Sequence, residues 1–498
     1  MRATYQVVRS DMALSLSSAI SKAALVAGLC ALSACAVPDL GPRPQPRLTS
    51  DVASARSLPP GTAAWPQQDW WAAYADPQLS RLMTQALVSS PDVAAAAARF
   101  ARARGLAQQA GAATLPRVDG QASVTMQRQS LNNGFPEEFK TVLPRGWNDN
   151  TAASIGLDFD LDLWGRNRAA LAAATSDARA AEIDMAQARL MLTTAIADAY
   201  ADLARLHAQR DIAQSAYAIR ASTRKLVDDR VRSGLDTRGD LRQAEAGLSS
   251  AQLELAAADE AIALRRNQIA ALVGAGPDLG LDLVKPALVG RFGADLPPDV
   301  DTNLIGRRPD IASARARLEA AASRIKVARA DFFPALNLSA LIGVQSLGVD
   351  LIAQRDSIYG NAGPAISLPI FRGGALAGQY RGARGSYDEA VANYDRLVID
   401  AYREVADAVT SRNALVERAA FARNALTQSE EAYSIARKRY QGGLSTFLDV
   451  LVVEERLLAA RRAVAELDMR GFALDISLIR ALGGGFVPPA PSKDRING

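Results

Sequence analysis

The sequence of 498 residues is poor in the side chains that metal sites and covalent catalysts use most, with only two cysteines and one histidine. Cys30 lies in an N-terminal apolar segment that we expect to be removed, which leaves Cys35 unpaired in the mature chain. One histidine and one cysteine cannot build a zinc cluster or a Cys–His catalytic pair. A phosphate-binding Gly-Lys-Thr loop is also missing from the sequence. We therefore predict no enzyme, no metal and no cofactor.

An excess of charge of one sign and long apolar runs are lacking as well. The chain carries 57 basic and 53 acidic residues, a formal net charge of +4, which predicts no nucleic-acid partner. Beyond residue 35 no apolar run approaches the ~18 residues that a transmembrane helix needs. If the mature chain spans a membrane, strands must do it.

The N-terminus has the features of a bacterial lipoprotein signal. Basic residues precede an apolar stretch at 23–32, which ends in Leu32-Ser33-Ala34-Cys35. We predict that residues 1–34 are a signal peptide and that Cys35 carries a covalent lipid. An ordinary secretory signal with an incidental cysteine is the alternative. Ala36 in place of aspartate favours the outer membrane, and the Pro-rich stretch 35–66 predicts an extended tether.

Two halves of the chain repeat the same motifs in the same order. Pro91-Asp92 returns as Pro309-Asp310, an offset of 218 (309 minus 91), and Gly234-Leu235 returns as Gly443-Leu444, an offset of 209 (443 minus 234). Repeats this long indicate a duplicated architectural unit rather than a solenoid, whose periods are roughly 20–50 residues. The predicted order is a first repeat, a linker, a second repeat and a tail, at 67–274, 275–308, 309–485 and 486–498.

Each repeat opens with a predicted helix and a β-hairpin. The helices, 91–112 and 309–330, begin with proline and aspartate, as the N-terminal end of a helix prefers. Apolar residues then alternate with polar ones, which predicts β-hairpins at about 117–164 and 335–371. Each of the four strands would have close to the ~10 residues that cross a bilayer at a tilt.

A long helical hairpin follows each β-hairpin. Stretches without proline, at about 167–232 and 375–439, predict helices of roughly 100 Å, and second helices return over 240–272 and 449–482. In the turns between them, glycine suits the left-handed stop of one helix and threonine the N-cap of the next. The predicted hairpin tips therefore contain Gly234, Thr237, Gly443 and Thr446.

One seam of the first long helix repeats every seven residues and is rich in small side chains, which is typical of close helix pairing. Its members are Ile183, Leu190, Ala197 and Ala204. The only histidine, His207, lies on this seam and is predicted to pack rather than to bind a ligand.

Strands in a membrane must close into a barrel, because an open edge leaves backbone N–H and C=O groups unbonded in hydrocarbon at several kcal/mol each. Outer-membrane barrels begin at about eight strands. Four strands are too few, so other copies of the chain must complete the sheet: two copies give eight strands and three give twelve. A barrel continued by helical hairpins is a conduit.

The residues resemble the TolC-like outer-membrane efflux factors, specifically the lipoprotein branch that serves resistance-nodulation-division (RND) pumps. The resemblance covers nearly the whole mature chain and rests on the motifs Trp70-Trp71, Asp76-Pro77-Gln78-Leu79, Asp162-Leu163-Trp164-Gly165-Arg166, Arg308-Pro309-Asp310-Ile311, Leu368-Pro369-Ile370-Phe371, Gly443-Leu444-Ser445-Thr446 and Ala481-Leu482-Gly483-Gly484-Gly485. It implies an α+β membrane protein, a homotrimer whose twelve-stranded β-barrel continues as a twelve-helix periplasmic tube. It also implies two partners, a periplasmic adaptor and an inner-membrane RND transporter, and passive exit of drugs or other small molecules.

The same resemblance implies a gate at the periplasmic tip, held by links between helical hairpins and by a ring of carboxylates. Matched by position, Tyr440 is the tyrosine of one link, Asp240 is its partner and Asp449 is the ring aspartate. Two positions depart from the family: a linking arginine falls on Ser445 and a second ring acid falls on Val452, so we expect fewer contacts. Helix capping is the alternative role for both aspartates, since a first turn favours acids by ~0.3–1 kcal/mol.

Two other functions stay open. The chain could be the exit duct of a type I protein secretion system, or a non-conducting structural lipoprotein with a coiled-coil body. The lipid anchor argues against the first, and the alternating strands argue against the second, because a spacer needs no barrel. Asp158, Asp160 and Asp162 alternate with apolar residues, which predicts a polar lumen wall rather than a calcium site.

Overall fold

The computed structural model describes residues 37–488 except 133, 135 and 288–295, so Cys35 and its predicted signal peptide lie outside the described residues. The helices are α1 (Pro77–Ser89), α2 (Pro91–Ala112), α3 (Arg166–Arg232), α4 (Arg238–Val273), α5 (Asp278–Leu281), α6 (Val300–Arg307), α7 (Pro309–Ala330), α8 (Ala375–Gln441) and α9 (Phe447–Ala481). The strands are β1 (Arg117–Gln127), β2 (Asn148–Asp160), β3 (Ala335–Leu347) and β4 (Ile358–Ser367). Short 3-10 turns lie at Thr49–Asp51, Trp70–Tyr74, Glu137–Phe139, Val349–Leu351 and Arg355–Ser357.

The elements of the two repeats match closely. Helices α2 and α7 each have 22 residues, and helices α3 and α8 each have 67 residues. The predicted order of short helix, β-hairpin and long helical hairpin is confirmed in both halves. None of the described helices contains a stretch long and apolar enough to span a membrane.

The chain divides into two compact units, and each unit draws on both repeats. Over the residues that the structure describes, the first comprises those up to Gln45, Arg102–Arg179 and Ala316–Ala392, and the second comprises Pro46–Ala101, those between Ala180 and Arg315, and those from Asn393 onward. The structural repeat in the sequence is therefore not the same division as the compact unit in space.

The first unit contains an antiparallel sheet in which, over the described residues, the strands lie in the order β1-β2-β3-β4. Ile155 of β2 lies opposite Gly120 of β1 and Ile342 of β3. Because side chains alternate across a sheet, this register collects apolar residues on one face: Val118, Val124, Met126, Ile155, Leu157, Phe159, Leu338, Ile342, Val344, Ile358 and Ile366. The other face collects polar ones: Arg117, Asp119, Gln121, Ser123, Asn150, Ser154, Asp158, Asn337, Ser339 and Asn361.

The alternating pattern predicted β2 to run further than it does. The strand ends at Asp160, and Asp162 adopts a positive φ of 44°. Its carboxylate accepts hydrogen bonds from the backbone N–H groups of Asn167, at 2.9 Å, and Arg168, at 3.0 Å. Asp162 therefore caps the N-terminus of α3, whose first N–H groups lack partners within the helix, and the prediction that it belongs to the polar face of the sheet is wrong.

Side chains hold the strand-to-helix connections and the N-terminal segment in the first unit. The indole of Trp164 stacks on Phe333, with ring centroids 4.6 Å apart, and its N–H donates to the carbonyl of Pro334 at 2.8 Å. Residues 37–45 form neither helix nor strand, and Arg384 and Tyr387 of α8 donate to the carbonyl groups of Gly41 and Pro44.

In the second unit, a buried carboxylate organises the largest core cluster. Asp76 is 3% exposed and caps α1 by accepting from the N–H groups of Gln78 and Leu79. It also accepts from the hydroxyl of Tyr200 at 2.8 Å. Burial, followed by the contact with Asp76, raises the pKa of Tyr200. The hydrogen bonds of Asp76 therefore connect α1 to α3.

A second motif joins three helices of the same unit. Arg308 is 7% exposed and donates to Asp310 beside it, to Glu404 of α8 and to the carbonyl of Ala481 at the end of α9. The Arg-Pro-Asp-Ile motif is therefore a structural junction between the start of α7, the middle of α8 and the end of α9.

Candidate functional site: the tips of the helical hairpins

Each helical hairpin turns through a glycine in the left-handed region. Gly234 has a φ of 72° and Gly443 has a φ of 75°. The N–H of the following leucine, Leu235 or Leu444, donates to the carbonyl of Arg230 or Arg439 in the last turn of the long helix. The chain can therefore leave one long helix and enter the next within five residues, because glycine adopts this conformation without steric cost.

Both return helices begin with a capping box. Thr237 accepts from the N–H of Asp240 at 3.2 Å, and the Asp240 carboxylate accepts from the N–H of Thr237 at 3.0 Å. In the second hairpin the corresponding distances between Thr446 and Asp449 are 3.4 Å and 2.9 Å. Hydrogen bonds from the threonine lower the pKa of each aspartate. Each of the two predicted gate acids therefore caps the start of its own return helix. Asp449 is also exposed.

A cluster that we call the tip link joins the two hairpins and consists of Arg230, Asp236 and Tyr440. The Tyr440 hydroxyl donates to Asp236, and Tyr440 is 1% exposed. Arg230 donates to the same carboxylate from Nε at 2.9 Å and from Nη2 at 3.2 Å. Its Nη1 donates to the carbonyl of Tyr440 at 3.1 Å, and its Cζ lies 4.6 Å from the centroid of the Tyr440 ring.

The electrostatic interactions within the tip link are mutually favourable. Burial, and then the bond to Asp236, raises the pKa of Tyr440, so the phenol stays a neutral donor. Hydrogen bonding to Asp236 raises the pKa of Arg230. The paired hydrogen bonds between the guanidinium and the carboxylate fix geometry as well as charge, and the tyrosine closes the arrangement from the other hairpin.

The partner of Tyr440 predicted from the resemblance is wrong for this chain. Asp240 engages Thr237 through both its backbone and its hydroxyl, while Asp236, four residues earlier, reaches the tyrosine. Sequence reasoning missed both Asp236 and Arg230. The available signal was an arginine in the last turn of α3 followed six residues later by an aspartate in the turn, a spacing that lets the two meet.

The positions that depart from the family pattern are also informative. Val452 is 44% exposed, so an apolar side chain stands where the family has its second ring acid. The Oγ atom of Ser445 is buried, and the described structure gives it no hydrogen-bond partner. The arginine of the tip link comes instead from the first hairpin, as Arg230.

Comparison with known proteins places the chain in a family. The family model described as "Outer membrane efflux protein" matches residues 82–275 and 302–484, which is most of the chain. The chain belongs to this family. The match consists of two stretches, which residues 276–301 separate.

Relatives of this outer membrane efflux protein have names that agree with the family. The multidrug resistance outer membrane protein MdtP of Escherichia coli O6:H1 is 28% identical over 91% of this chain and 94% of its own length. The fusaric acid resistance protein FusA of Burkholderia cepacia is 34% identical over 64% of this chain, and that match spans 60% of FusA. The crystal structure of the outer membrane protein VceC from Vibrio cholerae superposes with a TM-score of 0.79 at 43% identity, covering 85% of this chain and all of VceC.

These matches confirm the predicted fold class, function and location. The protein is an efflux channel of the bacterial outer membrane. The predicted resemblance to the TolC-like channels is confirmed with it.

Proposed function

We propose that this channel is the passive exit duct of a tripartite efflux system, without catalytic activity of its own. An inner-membrane RND transporter would supply the energy, and a periplasmic adaptor would join it to the duct. The observation that supports the duct best is the sheet of the first unit, which has one apolar face, one polar face and two edge strands. A sheet with these properties suits hydrocarbon on one side and water on the other.

The proposed assembly is a homotrimer. Over the described residues, β1 pairs only with β2 and β4 pairs only with β3. The outer backbone groups of both edge strands need partners in a membrane. Three copies of the four-stranded sheet would provide twelve strands and bring β1 of one copy to β4 of the next.

The tips are proposed to close the periplasmic end. Tyr440, Asp236 and Arg230 would hold the two hairpins of a protomer together, and Asp240 would shape the neighbouring turn through its capping box. Three copies of Asp449 around a common axis would attract cations and repel anions. Opening would then require the tip link to separate.

The outer surface of the tips suits a protein partner. Leu235 is 65% exposed and Leu444 is 72% exposed, at equivalent places in the two turns. Each hairpin end therefore presents an exposed apolar side chain that an adaptor could cover. Replacing either leucine with aspartate should weaken adaptor binding without changing channel assembly.

Cys35 is proposed to carry the covalent lipid that anchors the tether, and we propose no other non-protein group. Cys35→Ser should abolish incorporation of labelled palmitate, while trimers should still form because the sheet itself inserts. Loss of trimers in this variant would show that the anchor is needed for assembly.

The proposed cargo is a small organic compound, in keeping with the names of MdtP and FusA, which refer to multidrug and fusaric acid resistance. The test is accumulation of a panel of dyes, antibiotics and metal ions in cells with and without the gene. Accumulation should rise on deletion and fall when the gene is restored. Unchanged accumulation together with loss of a secreted protein would favour the type I secretion duct instead.

A non-conducting structural lipoprotein is tested separately. Purified protein reconstituted in planar bilayers should give ion conductance if the chain forms a duct. Absence of conductance from correctly assembled trimers at every voltage would favour the structural role.

A further inference from the structure

A charged cluster between the helical hairpins takes no part in the tip link, and two of its three members are buried. It consists of Arg220 on α3 and Glu454 and Glu455 on α9, and we call it the hairpin cluster. The Arg220 side chain is 10% exposed and the Glu454 side chain is 1% exposed, whereas Glu455 is 56% exposed. Ten residues separate Arg220 from Arg230, which is about 15 Å along a helix.

Arg220 connects three helices from this position. Its Nε donates to Glu454 at 3.3 Å, its Nη2 donates to Glu455, and its Nη1 donates to the carbonyl of Gly247 on α4 at 3.2 Å. One guanidinium therefore holds both helices of the first hairpin to the return helix of the second. Because all these donors are used, a lysine could not make the same contacts.

Glu454 occupies a place where a helix normally carries an apolar residue. It lies between Val450 and Leu457 on one face of α9, and both belong to the same buried cluster as Tyr433 of α8. A carboxylate at a core position is costly unless it is paired. Arg220 from α3, Tyr433 from α8 and Glu455 from α9 are the titratable groups that act on it, and α4 contributes the Gly247 carbonyl.

The repeated positions of the duplicated hairpins do not carry the same cluster. At the offset of 209, the counterpart of Arg220 is Ser429 and the counterpart of Glu454 is Glu245. Glu245 pairs with Arg224 and Arg242 at the surface. The helical hairpin thus occurs twice in the chain, but the buried ion pair between Arg220 and Glu454 has no counterpart at the repeated positions.

We propose that Arg220 and Glu454 are positioning residues, a second link between the hairpins that must loosen when the tip opens. This inference rests on the proposed function of the tip as a gate. Opening that exposes Glu454 to water changes its affinity for a proton. In the closed packing, burial raises the pKa of Glu454 against the opposing effect of Arg220, so the closed state holds the proton more tightly. Acidification therefore favours closure, and resting conductance rises as pH rises through this raised pKa.

The test is resting conductance of purified trimers in planar bilayers. Arg220→Met leaves Glu454 buried without its partner, so we expect conductance to rise by about tenfold or more at neutral pH, since breaking a buried ion pair is far costlier than losing an exposed one. Acidification should reverse the rise, because protonated Glu454 no longer needs a cation. Arg462→Met is the matched control: it breaks another pair between α9 and α4, with Glu254, whose side chains are 49% and 41% exposed, and should leave conductance unchanged.

Glu454→Gln keeps the shape and removes the charge. Its resting conductance should be equal to or below that of the wild type, and the pH dependence should disappear. If the cluster is purely structural, both variants should have a lower unfolding temperature, and their conductances should not change in opposite directions. Arg220→Met trimers that conduct like the Arg462→Met control, or a wild-type pH profile that persists in Glu454→Gln, would overturn the proposal.

Tyr440→Phe, measured in parallel, separates this inference from the gate on which it rests. A rise in Tyr440→Phe without a rise in Arg220→Met would reject the second link and leave the gate standing. A rise in neither variant would reject both.

Discussion

At the scale of single residues, the capping role of Asp449 at the hairpin tip can be separated from its proposed role in a ring of charge. Asp449 accepts hydrogen bonds from the backbone and the hydroxyl of Thr446, which explains its presence at the third position of α9 without any channel. Its exposed position also suits a ring of charge in a trimer. Because threonine supports only the first role, substitutions of the two residues have different consequences.

Thr446→Ala should weaken the cap and leave the ion selectivity unchanged. The expected loss is about 1 kcal/mol of stability, the usual cost of removing an N-cap hydroxyl. Asp449→Asn keeps a side-chain oxygen for the Thr446 N–H but removes the charge, so cation preference should fall. Reversal potentials in a salt gradient measure the preference, and an unchanged value in Asp449→Asn would leave capping as the sole role.

The aspartate caps and the buried glutamate should respond to different pH ranges. The pKa values of Asp240 and Asp449 are lowered by their threonine bonds, so the stabilisation is complete above the ordinary aspartate pKa of about 3.9 and is lost only as pH falls below it. Glu454 has a raised pKa and titrates at higher pH. Conductance that changes at pH values above the ordinary aspartate range while helix content stays constant would agree with this order; loss of helix content over that same range would contradict it.

The tip link should be more sensitive at Asp236 than at Tyr440. Tyr440→Phe removes one hydrogen bond and keeps the ring under the Arg230 guanidinium. Asp236→Ala removes the acceptor of both groups and leaves Arg230 poorly paired in a site where its side chain is 13% exposed. Resting conductance should therefore rise in both variants and more in Asp236→Ala, while Tyr217→Phe, a half-buried tyrosine of α3 outside the link, should match the wild type. The reverse order would show that the phenol, not the ion pair, holds the hairpins.

At the scale of elements, the helices were predictable and the strand ends were not. Proline, glycine and capping residues mark where helices begin and end, so 91–112 and 309–330 agree with α2 and α7 residue for residue. The alternation that identifies β2 continues past Asp160, although Asp162 has already turned to cap α3. A period of two in the sequence does not distinguish a strand residue from a cap that follows the strand.

The tip link could not be predicted from local sequence for a related reason. Asp236 and Asp240 are both acids near one turn, and which of them meets Tyr440 depends on how two hairpins separated by about 200 residues pack. Asp240 is engaged in the capping box, because its partner Thr237 is only three residues away. Only the packed structure shows that Asp236 is the carboxylate left for the other hairpin.

The C-terminal glycines provide a prediction for the element that follows α9. Gly484 has a φ of 57°, and a Cβ there would lie 2.1 Å from Cδ1 of Leu190. Gly484→Ala should therefore destabilise the second unit by more than the roughly 1 kcal/mol of an ordinary glycine substitution, measured as a lower unfolding temperature. Gly276→Ala is the control, because nothing lies within 4 Å of its Cβ position. Equal unfolding temperatures in the two variants would show that the glycine turn can adjust.

At the scale of the whole molecule, the duplication gives two similar hairpins that are not linked symmetrically. At the offset of 209, Arg230 matches Arg439, but Asp236 corresponds to Ser445, Tyr440 to Val231 and Arg220 to Ser429. The tip link and the hairpin cluster are therefore incomplete at the repeated positions. In a trimer, the junction within a protomer and the junction between protomers would differ in strength even though their backbones are alike.

The proposed trimeric barrel makes the two faces of the sheet unequal, which substitutions on one strand can test. Ile342 lies on the apolar face of β3 and is 64% exposed in the single chain, whereas Ser339 lies on the polar face of the same strand. Arginine facing lipid near the middle of a bilayer costs about 2–4 kcal/mol, and arginine facing a water-filled lumen costs little. Ile342→Arg should therefore reduce the amount of trimer in outer-membrane fractions, while Ser339→Arg should assemble normally and alter conductance. Normal assembly of Ile342→Arg together with failure of Ser339→Arg would mean that the polar face of the sheet, not the apolar one, faces the lipid.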